Sequence, residues 1–176
     1  TALGANTTAQ GLSSVALGYA ANGLATQSTA LGSYATANGL AATAVGSCAQ
    51  ANGSFATASG YQANASNLQT TAVGTNATAN SCYATALGAG AAADAYSATA
   101  TGYQATSSGQ YGSAFGTSAN AAAGNSTAIG SYACSISTNG TALGYFAAAE
   151  AANATALGTG STANGVNAIA IGIDSV

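Results

Sequence analysis

A glycine returns at every fourteenth position along the whole chain, and no other feature narrows the fold as far. The series is Gly4, Gly18, Gly32, Gly46, Gly60, Gly74, Gly88, Gly102, Gly116, Gly130, Gly144, Gly158 and Gly172. Its twelve steps contain no insertion or deletion. The residue two before each glycine is always alanine, from Ala2 to Ala170. A lattice this strict is the signature of a repeat architecture.

Positions are counted from the lattice glycine. Position −3 is Thr in ten of thirteen repeats, the others being Val15, Ser113 and Ile169. Position −1 is Leu, Val, Ile or Phe except at Ser59 and Thr101. Position +3 is small (Ala21, Ala35, Ala49), +4 is polar (Asn22, Thr36, Gln50) and +5 is small again (Ala37, Ala51, Ser107). That alternation is a half-buried strand. Positions +6 and +7 are often Asn-Gly, as in Asn38-Gly39, Asn52-Gly53 and Asn164-Gly165, and both residues accept positive φ.

One repeat therefore reads as strand, turn at the lattice glycine, strand, turn at the Asn-Gly pair. A helix is excluded because every repeat carries at least one glycine, each costing a helix about 1 kcal/mol. The predicted coil is one rung of a parallel β-solenoid. Twelve rungs at about 4.8 Å give a rod of roughly 60 Å, one continuous roll over residues 1–176 with no linker, stalk or anchor. Positions −3 and −1 share one strand face and the alanine points to the other. The aliphatic residue is expected to fill the thin core, and the alanine to mark a face pressed against something else. So narrow an interior repays little of the ~1–2 kcal/mol of backbone entropy per residue. Burial against further copies in a closed cyclic oligomer follows. The number of copies does not.

Composition removes several function classes. Lys, Arg and His are absent, and the only acids are Asp94, Glu150 and Asp174. Nucleic acids and anionic membranes need clustered positive charge, so neither is a partner. No apolar run approaches the ~20 residues of a membrane-spanning helix. Nothing is arranged for acid–base catalysis, so no enzyme is expected, and no cofactor or metal, since histidine is absent and the cysteine spacings are wrong. Cys48, Cys82 and Cys134 occupy different columns and read as unpaired small residues. The chain opens and closes inside its motif, as an excerpt or a subunit continuing into a neighbour would.

The candidate contact residues are tyrosines. Tyr19, Tyr61, Tyr103 and Tyr145 each follow a lattice glycine and recur once in every three coils. At about 14 Å apart they cannot stack on one another. Tyr34 and Tyr132, one position further on, extend the aromatic surface near the same turn. They either cover a turn of a duplicated three-coil unit or contact a glycan or protein. The threonine column suggests ice binding, but sharing a face with −1 would place it inside. Asn-X-Ser/Thr sequons such as Asn125-Ser126-Thr127 and Asn139-Gly140-Thr141 arise readily in this composition.

The stretches Ser28-Thr29-Ala30-Leu31-Gly32, Thr71-Ala72-Val73-Gly74, Ser126-Thr127-Ala128-Ile129-Gly130 and Asn167-Ala168-Ile169-Ala170-Ile171-Gly172 resemble the head repeat of YadA-like trimeric autotransporter adhesins. The resemblance covers essentially the whole chain. It implies an all-β, left-handed parallel β-roll, three chains side by side as a homotrimer, and adhesion outside the cell. Similar repeats occur in phage tail fibres, and Gly60-Tyr61-Gln62-Ala63 and Gly102-Tyr103-Gln104-Ala105 look like that form. Thr stands here where the family often has Val. The leading expectation is a non-enzymatic adhesin head that binds host or environmental surfaces, through a surface protein or glycan, on the cell or virion exterior. The alternatives are a structural subunit of an extracellular filament or tail fibre and, behind it, an ice-binding protein.

Overall fold

A computed structural model describes all 176 residues. It comprises two compact units, Thr1–Gly90 and Ala91–Val176. Each unit is built from parallel strands of two or three residues in two sheets. Together the units carry about 12 turns of a parallel β-solenoid with a 14-residue period. In the first unit one sheet contains Val15–Leu17, Thr29–Leu31, Thr43–Val45, Thr57–Ser59 and Thr71–Val73, and the other contains Asn22–Gly23, Thr36–Ala37, Gln50–Ala51 and Asn64–Ala65. In the second unit Ser113–Phe115, Thr127–Ile129, Thr141–Leu143 and Thr155–Leu157 form one sheet. Asn120–Ala121, Cys134–Ser135, Ala148–Ala149 and Thr162–Ala163 belong to its second sheet. Like residues pair with like, as in Thr57↔Thr71, Ala58↔Ala72 and Ala128↔Ala142.

The interior holds four small residues per coil. In one coil of the first unit these are Ala44, Ala49, Ala51 and Ala56, all with no exposed surface. Ala114, Ala119, Ala121 and Ser126 do the same in the second. The largest fully buried side chain is Thr70. This reverses the sequence-based face assignment. The invariant alanine at −2 points into the roll, and the aliphatic residue at −1 points out, with Leu17 at 43% and Phe115 at 40% exposure. The reason is width. Sheets spaced by larger side chains sit about 10 Å apart. Two short strands closing within a single coil come nearer than that, so a methyl group fills the gap and an isobutyl group does not.

Within that gap, positions +5 and +10 compensate for each other. Half of the coils pair Ala with Ala, as at Ala37 and Ala42. Where one partner is Gly the other is Ser: Gly23 with Ser28, Gly112 with Ser107, Gly140 with Ser135. A Cβ added at Gly112 would lie 2.7 Å from Ser107 Oγ, and one at Gly140 would lie 2.6 Å from Ser135 Oγ. The hydroxyls of Ser28, Ser107 and Ser135 find no hydrogen-bond partner. They fill volume at a polar cost of about 1–3 kcal/mol each.

Besides the lattice glycine, two residues per coil adopt left-handed backbone, at +2 and at +9. Examples are Tyr34 (φ 58°) with Ala41 (φ 51°), and Tyr132 (φ 58°) with Asn139 (φ 57°). The second turn therefore differs from the sequence expectation. Its positive φ falls at +9 and not on the Asn-Gly pair. Gly53 is needed there for close approach: a Cβ would fall on the backbone carbonyl of Asn67 in the next coil. Both turns keep the coils bonded, for instance Tyr34 N–H to Tyr19 C=O at 2.8 Å and Phe55 N–H to Leu40 C=O at 2.7 Å.

Candidate functional site

Because the roll admits only small residues, every bulky side chain is displaced outward. All nine tyrosines and all three phenylalanines are exposed. Aromatic side chains ordinarily dominate cores. Here they contribute nothing to one, so their large apolar surfaces face solvent or a partner. Eleven of the twelve lie on the two turn edges; Phe115 sits on a sheet face.

The outer face of the three-residue strands is the first candidate surface. It carries Thr and an aliphatic residue in parallel columns. Leu17, Leu31 and Val45 are register neighbours in the first unit. Phe115, Ile129 and Leu143 are register neighbours in the second. Val45, Val73, Ile129 and Leu143 are all exposed in the single chain. Exposed apolar stripes of this kind are a common feature of interaction surfaces.

The turn following the lattice glycine is the second. Of the four tyrosines singled out in the sequence, Tyr19 packs edge-on against Tyr34, ring centroids 5.4 Å apart. Tyr145 packs against Tyr132 at 6.3 Å and Phe146 at 4.5 Å. Tyr19 thus meets the +2 residue of the next coil, and Tyr145 those of its own and the preceding coil. At +2 in the next coil Tyr61 has Asn76 and Tyr103 has Ser118, so neither has a ring there as Tyr19 does. The four are not brought together. The Tyr19 hydroxyl, through charge interaction first, pushes the pKa of Tyr34 up.

The second turn carries a feature that sequence reading missed. Asn125, Asn139, Asn153 and Asn167 stand in column +9, where Asn tolerates left-handed backbone. Each amide Nδ2 donates to the next Oδ1, at 3.2, 3.0 and 2.9 Å. The signal was available as asparagine at one column position in four successive coils. Three of them head sequons, so the nitrogen that a glycan would need is held in the ladder. Replacing Asn139 with Gly keeps the backbone conformation and breaks two rungs. The second unit should lose about 1 kcal/mol, read from chemical denaturation. No loss would mean that water satisfies the amides equally well.

The three cysteines are unpaired thiols. Cys134 lies 3.9 Å from Asn120 Nδ2, and burial pushes its thiol pKa up, with the amide opposing.

The family model for the YadA head domain repeat matches residues 1–21, 25–47, 51–77, 107–133, 136–161 and 149–175. The chain belongs to the YadA head domain family. No curated protein matches it at a significant level. The family is one of surface-exposed adhesins. In this YadA head the family's small-residue motif has a structural reading: alanine fills the roll, glycine lets coils approach, and the aliphatic residue is left on the outer face.

Proposed function

We propose that this YadA-type head is a non-enzymatic adhesive element, assembled side by side as a homotrimer on the exterior of a cell or virion. The observation that carries it is the inversion of apolar bulk: methyl groups inside, aliphatic and aromatic groups outside. The aliphatic stripe supplies the face that three copies bury against one another. The turn-edge rings at Tyr19, Tyr61, Tyr103 and Tyr145 remain outside that contact and meet a surface protein or glycan. Membership of a family whose heads form trimers supports the assembly.

Light scattering should give a mass three times the chain's 16.3 kDa. Combined Leu31→Asn, Val45→Asn and Val73→Asn changes touch no interior residue and should shift the mass toward one copy. A wild-type monomer at micromolar concentration would sink the trimer. Alanine at the four tyrosines should weaken capture of the protein on glycan- or matrix-coated surfaces without altering the mass. Unchanged capture would remove them from the contact.

A structural filament subunit is the second reading, favoured by a net charge of only −3 over 176 residues. So little charge leaves packed copies almost unrepelled. The ice-binding reading loses the objection raised against it, since Thr29, Thr43, Thr57 and Thr71 lie on an outer face. They share that face with the stripe assigned to the trimer, so thermal hysteresis is expected only from a monomeric form.

A further inference from the structure

The aromatic cluster on the second unit ends in a notch. Column +2 runs Tyr132, Phe146, Gly160, Asp174. The Tyr132 and Phe146 rings stack nearly parallel, 8° apart in plane with centroids at 4.8 Å. That distance is one coil step, so the ring planes lie across the stacking direction. Tyr145 stands at 90° to Phe146 and at 86° to Tyr132. Its three-way distances place it beside Phe146, as a side wall, and not over the ring face. The next residue in the column is Gly160, fixed one step on by its N–H donating to the Tyr145 carbonyl at 2.8 Å. Having no side chain, it adds no third ring to the stack, and Phe146 stays half exposed. A Cβ added at Gly160 would fall on Asp174 Oδ1, so the carboxylate of the following coil leans over this position. The result is a ring floor, a ring wall at right angles and a carboxylate at the inner end.

We propose that this notch binds an arginine side chain of a partner protein. A guanidinium is planar, stacks on aromatic faces and pairs with carboxylate along its edge. Laid on Phe146 it continues the interrupted stack by one flat layer and turns its N–H edge toward Asp174. A neutral pyranose would also cover the ring, but it would leave the carboxylate charge uncompensated. The occupant is not a second copy of this chain, which contains no arginine or lysine. The proposal rests on the adhesive reading only for its purpose; the notch exists regardless of it.

The test is an NMR titration of the full chain with the peptide acetyl-Gly-Ser-Arg-Ser-Gly-amide. Citrulline and lysine versions of the peptide, and a neutral N-acetylglucosamine pentamer, run in parallel. The arginine peptide should shift the Phe146 ring and Gly160 amide signals saturably, and less so as salt is added. Asp174→Asn should weaken this about threefold. Gly160→Asn should abolish it by filling the notch. That variant retains the fold, because Asn6 and Asn76 hold the same column with the same left-handed backbone. The assignment is overturned if either variant binds like wild type, or if the citrulline or lysine peptide binds as tightly. It is equally overturned if only the pentamer shifts these signals. Capture of wild-type protein on coated surfaces, measured alongside, separates the two readings. Capture without an arginine response removes the notch and leaves adhesion standing.

Discussion

Gly60→Val should cost the first unit about 3–5 kcal/mol, the sum of backbone strain and an overlap that cannot relax. Gly60 has φ +138°, a conformation that a β-branched residue does not adopt without strain. Its added Cβ would also sit 2.5 Å from the carbonyl oxygen of Gly74 in the next coil. That oxygen is backbone and cannot retreat without lengthening the coil-to-coil bonds on either side. Circular dichroism during heating should show a lower midpoint and a broader transition, because stability in a stacked array is a sum of neighbour terms. An unchanged midpoint would mean that the lattice glycines are not required by the stacking. Gly88→Val, the substitution that the sequence lattice alone suggests, should meet the same backbone strain at φ +131°.

The second large effect is expected inside the roll. Gly112→Ala should destabilise the second unit by about 1–3 kcal/mol through overpacking. The new methyl meets Ser107 Oγ at 2.7 Å. Adding Ser107→Ala should restore part of the loss, since it removes an unpartnered hydroxyl from the shared volume, while the Gly109 carbonyl oxygen at 2.8 Å still presses on the new methyl. The coupling in a double-mutant cycle should be about 1–2 kcal/mol. Simple additivity would show that the two positions do not share one volume.

The period, the all-β class and the two-sheet coil were legible in the sequence because glycine and alanine recur at fixed positions whatever the neighbours are. Leu17, Val45 and Ile129 were misplaced for a physical reason. Large apolar residues go inside when there is room, and a one-dimensional pattern does not report the distance between two sheets. Alternation says that −3 and −1 share a face; it does not say which face. The turn at +9 was misread because Asn-Gly is a strong turn signal, whereas Gln27, Ala41 and Phe55 are not. Backbone closure imposed the left-handed conformation on those residues against their preference. At the candidate site, Tyr145 could be singled out from its spacing. Tyr132 could be placed near the same turn, but its stacking on Phe146 and the opening at Gly160 depend on how adjacent coils superpose, which only the folded coil reveals.

The uniform register has a consequence for how such a chain changes over time. Within each unit, coils present one another with the same pattern of backbone hydrogen bonds, an interior of small residues and a recurring glycine contact. A single coil is therefore interchangeable with its neighbours as far as stacking is concerned. Unequal recombination between coils can lengthen or shorten a head by whole rungs and leave its cross-section untouched. A one-residue slip would turn the alanines outward and the leucines inward. The lattice thus works as a ruler with a single permitted graduation. Reach can drift in whole steps, while the notch and the tyrosine pairs, which need particular residues in adjacent rungs, travel as cassettes of two to four coils.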